Sequence, residues 1–314
     1  MKVRFIFNPR SGRPRRNAPI LPMLRSFIAA RALDADLACT EGPGHATELA
    51  QEAVAQGCLR VVAVGGDGTV NEVAQALIHT PAAMGLVPCG SGNGLALHLG
   101  LPKRLGDALE LAAGPAGRTA ALDTGLVNGL PFVNAMGLGL DSDVAHLFNR
   151  LTRRGLPSYA RTALSAFAKR KTERCFVTVG GRRETVDMLL IAVANSDQYG
   201  NNARIAPHAR VDDGLLDLVI VSPVGWLSAC ILGTRLFMGT THKSGRVRRI
   251  QGPSFVVERP AAGLIHTDGE TRFTDARIEV SVRPRSLRMV VPTECAAVSP
   301  YNDRAHAGFA LQLP

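Results

Sequence analysis

The segment VVAVGGDGTVNEVAQAL, residues 61–77, decides the fold of this chain. Its first four residues are small or β-branched and apolar, which is typical of a strand buried on both faces. Its second half carries apolar residues at spacings of three and four, which form one stripe of a helix: Val70, Val73, Ala74 and Leu77. Thr69 and Glu72 have the spacing of a capping box, which predicts that the helix starts there.

The turn between these two elements is GGDGT, residues 65–69, with glycine at three of its first four positions. Glycine allows a ligand to approach the backbone, and a glycine turn before a helix leaves free N–H groups at the positive end of the helix dipole. The turn therefore predicts a phosphate site, although an ordinary strand-to-helix turn is also compatible with it. Asp67 favours the phosphate site, because a carboxylate there is unfavourable unless a cation such as Mg²⁺ accompanies the phosphates. The segment matches neither the Walker phosphate loop nor the spaced dinucleotide fingerprint.

Strand and helix patterns alternate through the first 115 residues, which predicts a parallel sheet with helices on both faces. Besides the central segment, we predict strands at 2–8, 34–40 and 83–87 and helices at 19–32, 45–56 and 95–99. Ligands bind at the carboxyl ends of the strands in such sheets. Four strand ends carry candidate ligand-binding residues: Asn8, Thr40, 65–69 and 90–93. Their convergence indicates a single binding site.

A different pattern begins near Arg118 and is typical of antiparallel sheets. Asn128-Gly129 joins two apolar runs, which is a strong hairpin signal. Further strands are predicted at 185–194, 215–221, 246–251, 254–259, 263–267, 276–283 and 286–291, and helices at 141–170 and 224–238. We therefore predict an α/β domain over residues 1–122 and an all-β domain of two packed antiparallel sheets over residues 123–292.

The composition limits the partners and the compartment that can be expected for this chain. The chain has 314 residues, 46% of them hydrophobic, and a formal net charge of +10, which predicts an anionic partner such as phosphates, nucleic acid or an anionic membrane. Three Tyr and one Trp argue against base stacking, so a nucleic-acid partner is not expected. Six cysteines without a CxxC pair indicate a reduced core, and a strand-like start after Met1 indicates no signal peptide. These features predict a cytoplasmic protein and leave open whether it is a homodimer.

Three acid-bearing turns lie in the second half, at 141–143, 212–217 and 268–270. Each alone is compatible with an ordinary turn of a β domain. Together with the central segment, they resemble the catalytic domain of diacylglycerol kinases, in the form of bacterial soluble lipid kinases that is shared with sphingosine and ceramide kinases. The matching segments appear in family order: NPRSG (8–12), GGDGTVNEV (65–73), PCGSGNGLA (88–96), LDTG (122–125), NAMGLGLDSDVA (134–145), the run 191–221 and HTDGE (266–270).

The resemblance implies ATP-dependent phosphorylation of a lipid hydroxyl in a cleft between the two domains, with the tail 293–314 returning to the first domain. The nucleotide contacts that it implies are Asn8, Thr40, Gly65, Gly66, Gly68, Thr69, Asn71, Glu72 and Ser91. Glu270 is the implied general base, and Asp67 is assigned to the catalytic or metal network. Asp123 and Asp141 are the implied substrate-binding residues.

The resemblance also implies a structural Mg²⁺ site, formed by the backbone carbonyls of Arg210 and Leu215 and the side chain of Asp213. The charge of Arg210 is unusual beside a cation. The implied partners are the lipid substrate and an anionic membrane surface, to which the enzyme would bind peripherally. Small basic clusters would assist, although a solvated face is the simpler interpretation of each of them: 10–16, 153–154, 169–171 and 246–249.

The chain departs from the family pattern at two positions of the second glycine loop, and two alternatives to a lipid kinase are open. The family's Gly-Thr-Gly-Asn-Asp is Gly90-Ser-Gly-Asn-Gly94 in this chain, which keeps a hydroxyl at Ser91 but lies nearer to the sphingosine kinase pattern. The acceptor is therefore left open between diacylglycerol-like and sphingoid lipids. GGDGT also occurs in NAD kinases, so an NAD kinase-like enzyme is one alternative, and a non-catalytic lipid- or nucleotide-binding relative is another. The run Ala206 to Asp217 favours a lipid kinase over the first alternative, and retention of Asp67 and Glu270 disfavours the second.

Overall fold

The structure is a computed structural model that describes residues 1–12, 19–149, 156–169 and 172–299. Several predicted features lie outside these residues: most of the basic cluster 10–16, the cluster 153–154, two residues of the cluster 169–171 and the tail beyond residue 299. In the part of the chain that is described, no helix is long and apolar enough to cross a membrane.

The first part of the chain forms a parallel sheet, as predicted. Its strands are β1 (Val3–Phe7), β2 (Ala35–Cys39), β3 (Arg60–Gly65) and β4 (Ala83–Pro88), in the order β2-β1-β3-β4. The helices are α1 (Ile20–Ala30), α2 (His45–Ala55), α3 (Asp67–Leu77), α4 (Gly94–His98) and α5 (Leu105–Ala113).

Both faces of this sheet are covered, which explains the continuous apolar run of β3. Val61 and Ala63 are buried in one cluster with side chains of α2 and α3. Val62 and Val64 point the other way and are buried with side chains of α1 and α5. Alternate residues of β3 thus serve two hydrophobic layers.

The second part of the chain is a sandwich of two mainly antiparallel sheets, which confirms the predicted fold class. One sheet contains six strands in the order β12 (Val247–Gly252), β11 (Leu216–Val221), β10 (Leu190–Ala194), β7 (Ala135–Gly139), β14 (Gly263–Thr267) and β15 (Glu270–Thr274). The facing layer consists of β5 (Gly117–Val127), β6 (Leu130–Phe132), β8 (Glu173–Val179), β9 (Arg182–Met188), β13 (Ser254–Glu258) and β16 (Arg277–Pro292). Buried side chains from both layers, including Phe132, Met136 and Phe255, form the core between them.

Helices α6 (Leu140–Asn149), α7 (Leu156–Ala168) and α8 (Trp226–Met238) complete the second part. The Asn128-Gly129 hairpin prediction is confirmed, since β5 and β6 pair across it and both residues have positive φ. The single strand predicted at 185–194 is wrong, because β9 and β10 belong to different sheets. The chain changes sheets at Leu189, whose N–H donates to the Val221 carbonyl oxygen at 2.8 Å.

The long strand β16 joins the two halves of the molecule. It pairs with β13 and β5 on the sandwich side, and Met289 pairs in parallel with Met84 of β4. The two strands predicted at 276–283 and 286–291 are therefore one strand, with an irregular register between Arg283 and Leu287.

The segment that follows β16 lies against the first half. Cys295 and Val298 are buried in the same cluster as β3 and β4 side chains, and the Cys295 thiol donates to the Leu99 carbonyl oxygen at 3.4 Å.

All six cysteines are unpaired. Cys39 and Cys230 are exposed, so the expectation of a core position is wrong for these two.

Candidate active site

Two glycine-rich loops touch each other at the carboxyl ends of β3 and β4. A Cβ atom on Gly90 would lie 2.6 Å from the Cα of Gly66, and a Cβ on Gly66 would lie 3.2 Å from the Cα of Gly90. Any side chain at Gly90 would therefore push the two loops apart. This contact explains why both loops need glycine, and it brings their backbone N–H groups to one place.

The carboxylate of Asp67 fixes the second loop to the first. Its Oδ2 accepts the N–H of Asn93 at 2.8 Å, and its Oδ1 accepts the N–H of Gly94 at 2.7 Å. Burial raises the pKa of Asp67, and these two hydrogen bonds offset part of that effect. Asp67, which was predicted for the catalytic or metal network, therefore positions the start of α4 in the structure. Its direct role in catalysis stays a prediction.

The first turn of the chain lies against the same loop. The side-chain amide of Asn8 donates to the Thr69 hydroxyl at 2.9 Å, and the Ser11 hydroxyl accepts the Gly66 N–H at 3.0 Å. The predicted capping box is wrong, since α3 begins at Asp67 with Gly66 as its N-cap. Thr69 is therefore the third residue of the helix, where its hydroxyl faces Asn8 instead of a free N–H group.

Glu72 contacts a different helix from the one that contains it. Its Oε2 accepts the Ala46 N–H at 3.0 Å, at the start of α2, where a carboxylate is favoured by the helix dipole. Thr40 is buried, and its N–H donates to the Phe7 carbonyl oxygen at 2.9 Å, beside the ends of β1 and β2. Asn71 is buried and accepts a hydrogen bond from Gln75, whereas Ser91 is exposed. Nucleotide contact by these predicted residues stays a prediction.

Glu270 reaches the glycine loop from the second half of the chain. Its Oε1 lies 3.8 Å from the position that a Cβ on Gly68 would occupy. The side chain is half-exposed, and Arg272 lies 4.0 Å from its Oε2. The structure therefore brings the predicted general base and the predicted phosphate loop together.

The turn before Glu270 is held by a buried acid. Asp268 and Gly269 both have positive φ, as the two-residue hairpin between β14 and β15 requires. The Asp268 carboxylate accepts three N–H groups of the segment 133–135 at 2.8 to 3.0 Å. Burial nevertheless raises the pKa of Asp268 to about 6. This anchoring function was not predicted, although the residue is part of the quoted HTDGE motif.

Asp141 belongs to a buried cluster with two residues that were not among the predicted site residues. The Tyr199 hydroxyl donates to Asp141 Oδ2 at 2.5 Å, and His266 Nε2 lies 3.0 Å from the same oxygen. The Gly269 N–H points at His266 Nδ1 at 3.4 Å, which places the ring proton on Nε2. A Cβ on Gly137 would overlap both Asp141 and His266, so glycine is required there. The only sequence signal for Tyr199 and His266 was their position inside the family motifs.

The segment around Tyr199 also contacts the second glycine loop. The Asn201 N–H donates to the Gly92 carbonyl oxygen at 2.9 Å, and a Cβ on Gly94 would lie 3.2 Å from the Tyr199 carbonyl. His98, at the end of α4, is hydrogen-bonded to Asp197 at 2.7 Å. The Asp141 cluster is thus linked to the nucleotide side of the site through backbone contacts.

The predicted Mg²⁺ residues lie together in the turn before β11. The Arg210 guanidinium binds Asp212 at 3.1 Å, and the Leu215 N–H donates to Asp213 Oδ1 at 3.0 Å. Within the described residues, no group of three or more His, Cys, Asp or Glu side chains has the arrangement of a metal site.

Asp123 supports this turn and does not share partners with Asp141. Its carboxylate accepts the N–H groups of Gly214 and Arg285, both at 2.7 Å. Burial raises the pKa of Asp123, and the charges of Asp213 and Asp212 raise it further. Both carboxylate oxygens already bind the backbone, so a substrate contact by Asp123 stays a prediction.

Comparison with known proteins gives the same assignment for both halves. Residues 2–127 match the diacylglycerol kinase catalytic domain, and residues 134–291 match the YegS C-terminal NAD kinase beta sandwich-like domain. The chain is 31% identical over 261 residues to "Probable lipid kinase YegS-like" of Enterobacter sp. (strain 638), covering 80% of this chain and 84% of that protein. It is also 31% identical over 283 residues to the protein of the same name from Pseudomonas fluorescens, covering 86% and 91%.

A solved structure shares the fold. The crystal structure of a diacylglycerol kinase from Bacillus anthracis superposes with a TM-score of 0.69 at 21% identity, covering 96% of this chain and 98% of that one. Because two domain models match in order and the relatives are 31% identical over at least four fifths of the chain, it belongs to the diacylglycerol kinase catalytic-domain family of lipid kinases.

Proposed function

We propose that this kinase transfers the γ-phosphate of ATP to a hydroxyl group of a diacylglycerol-like or sphingoid lipid, in the cleft between the glycine loops and the β14–β15 hairpin. The observation that carries the proposal is the position of Glu270 Oε1, 3.8 Å from the Cβ position of Gly68. The N–H groups in the first turn of a helix have no partner within the helix, so the start of α3 favours a phosphate, and a carboxylate beside it can accept a proton.

The chemistry requires little more than positioning and charge neutralisation, as is general for phosphoryl transfer. In the proposed step, the lipid hydroxyl oxygen forms a bond to the γ-phosphorus while the bond from that phosphorus to the ADP oxygen breaks. The hydroxyl proton passes to the Glu270 carboxylate. Asp67 keeps the two glycine loops in contact, so the N–H groups that receive the phosphates stay in place.

The turn 210–215 supports a proposed Mg²⁺ site, because its available donors are carboxylate and carbonyl oxygens, which Mg²⁺ prefers. Arg210 does not oppose a cation strongly, since its guanidinium is bound to Asp212. Burial raises the pKa of both Asp123 and Asp217, and the charge of Asp213 adds to the increase at each of them, so three carboxylates act on one another around this turn. When bound there, the metal would neutralise this turn; Asp213 and the carbonyls of Arg210 and Leu215 would hold it.

We further propose that the enzyme works at an anionic membrane surface. The acceptor is a lipid and therefore resides in a bilayer, and the net charge of +10 favours an anionic one. Binding to an anionic bilayer would concentrate the enzyme at the surface that contains its lipid acceptor.

The direct test is transfer of labelled γ-phosphate from ATP, with Mg²⁺, to diacylglycerol, monoacylglycerol, phosphatidylglycerol, sphingosine or ceramide in mixed micelles, with NAD as a further acceptor. We expect a labelled lipid product from at least one member of this panel. Labelling of NAD alone, or of no acceptor, would refute the proposal. Chelation with EDTA followed by readdition of Mg²⁺ tests the metal requirement separately.

A further inference from the structure

Helix α8 is apolar on the side that faces solvent. Its inner stripe, Ala229, Leu232 and Leu236, packs against the six-stranded sheet of the sandwich. Its outer stripe has spacings of four, three and four residues, and all four of its members are exposed: Leu227, Ile231, Thr234 and Met238. Leu227 is 77% exposed and Met238 is 69% exposed. A surface helix normally carries charged residues on its outer face, so this arrangement requires an explanation.

Thr234, the one polar member of the outer stripe, makes a hydrogen bond within the helix. The Thr234 hydroxyl donates to the Cys230 carbonyl oxygen at 3.1 Å, one helical turn earlier. The apolar surface continues beyond the helix start, because Trp226 contacts the Phe167 ring edge to face with centroids 4.8 Å apart. Leu164, on the same helix α7, is also exposed. We call the exposed side chains among these the α8 surface.

The charged residues within α8 and directly after it in the chain are all basic, since no acid occurs between Gly225 and Val257. The helix itself contains no acid, and Arg235 is its only charged residue. Lys243 and Arg246 follow within eight residues of its end, and both are exposed. Among the residues that the structure describes, Arg235, Lys243 and Arg246 form no ion pair. An apolar strip bordered by unpaired cations is the pattern of a helix that lies in the interface of an anionic bilayer.

Helix α8 is attached to the segment that contributes Tyr199 to the Asp141 cluster. The Arg204 N–H donates to the Leu236 carbonyl oxygen at 2.9 Å, which attaches the end of α8 to the segment after Tyr199. The Tyr199 hydroxyl, in turn, donates to Asp141. Helix α8 is therefore connected, through the segment 199–204, to the Asp141 cluster of the candidate active site.

We propose that the outer stripe of α8 is the membrane-docking element of this enzyme, inserting Leu227, Ile231 and Met238 into an anionic bilayer while Arg235, Lys243 and Arg246 contact its headgroups. This inference rests on the proposed lipid acceptor, because it assigns the surface through which that acceptor is reached.

The chain provides its own probe of this proposal. Trp226 is the only tryptophan, it is 49% exposed, and it is the first residue of α8. We expect its fluorescence emission to shift to shorter wavelength when the full-length protein is titrated with vesicles of phosphatidylcholine and phosphatidylglycerol. Brominated acyl chains should quench it, and vesicles of phosphatidylcholine alone should bind much less protein.

Two matched substitutions test whether membrane binding depends on the α8 surface or on any exposed leucine. Leu227→Gln on α8 should weaken binding to the mixed vesicles by about tenfold, since most of a leucine side chain would no longer enter the bilayer. Leu59→Gln changes the same residue type at a 54% exposed position before β3, and binding should stay unchanged.

Failure of this inference can be told apart from failure of the proposed kinase activity. Leu227→Gln should keep wild-type turnover on a short-chain acceptor that is monomeric in solution, and lose activity on the same headgroup embedded in vesicles. Vesicle binding without any change in Trp226 emission would overturn the inference. Equal losses for Leu227→Gln and Leu59→Gln would also overturn it, as would dissociation of a dimer by Leu227→Gln in analytical ultracentrifugation. If vesicle binding behaves as expected and no acceptor is phosphorylated, only the proposed activity fails.

Discussion

Glu270 Oε1 lies 3.8 Å from the position that a Cβ on Gly68 would occupy. One of these residues is in the first turn of α3 and the other begins β15, about two hundred positions later in the chain. The Glu270 carboxylate therefore lies beside the first turn of α3. Because a phosphate is favoured at the first position and a hydroxyl proton at the second, this pair defines where the reaction would occur.

Gly68→Ala should separate activity from stability. The new methyl group would meet Glu270 Oε1 at an ordinary contact distance, so the protein should fold, and the helix should gain up to about 1 kcal/mol because alanine is the better helix former. The methyl group would occupy the space proposed for the phosphate, and turnover should fall by at least about tenfold, since each 1.4 kcal/mol of lost transition-state stabilisation is a factor of ten. Thermal unfolding and steady-state kinetics check both parts. A destabilised protein, or full activity, would contradict this reading.

Asp67→Asn should loosen the second glycine loop. Asparagine offers a single acceptor oxygen, so one of the N–H groups of Asn93 and Gly94 loses its partner, at a cost of about 1–3 kcal/mol. We expect a lower melting temperature and a higher KM for ATP, with turnover reduced by about a hundredfold, the usual scale for a displaced reacting group. Asp107→Asn, at an exposed position of α5, is the control and should behave as wild type. Wild-type ATP kinetics in Asp67→Asn would show that the tether is dispensable.

Gly90→Ala tests the contact between the two loops. Its Cβ would lie 2.6 Å from the Gly66 Cα, a backbone atom that cannot move aside alone, so we expect a loss of about 1–3 kcal/mol in stability and much weaker ATP binding. Gly106→Ala is the matched control, because nothing lies within 4 Å of the Cβ that it adds. Equal melting temperatures for the two variants would mean that the loops are not in contact.

The buried acid Asp268 predicts a pH dependence of stability. Its pKa is raised from 3.8 to about 6, so between these values the folded protein binds a proton that the unfolded chain has released. The contribution of Asp268 to the free energy of unfolding should therefore fall by about 3 kcal/mol at most as the pH rises from about 4 to about 6, and then stay level. Urea unfolding of wild type and Asp268→Asn across this range measures the difference. A difference that grows with pH would show instead that the three N–H groups lower the pKa.

Local patterns in the sequence were sufficient for the parts of the fold that depend on neighbouring residues. The strand, turn and helix of 61–77 and the Asn128-Gly129 hairpin are both present, because glycine turns and apolar spacing act within a few residues. The change of sheet at Leu189 was not predictable, since the apolar run continues through it without a glycine or proline. Likewise, the two strands predicted near the end merge into β16, whose irregular register includes Arg285 at positive φ.

The sequence was sufficient to identify several residues of the candidate site, but it did not predict which partners they contact. Asp67, Asp141 and Glu270 were identified from motifs, but Asp67 binds a loop 26 positions away, and this partner depends on how β3 and β4 pair. Glu72 was expected to cap its own helix and instead binds the start of α2, which only the packing of the two helices determines. Tyr199 and His266 carry no local signal of their own, because their contact with Asp141 requires three separate elements of the second half to meet.

The most direct test of the central claim is phosphate transfer from γ-labelled ATP to the best lipid acceptor by wild type and Glu270→Gln. The substitution preserves size at a half-exposed position, so the melting temperature and the KM for ATP should be unchanged. Turnover should fall by at least about a hundredfold, the usual scale for loss of a general base. Glu294→Gln, at an exposed position after β16, is the control. Turnover of Glu270→Gln within a few-fold of wild type would contradict the account and exclude Glu270 as the base.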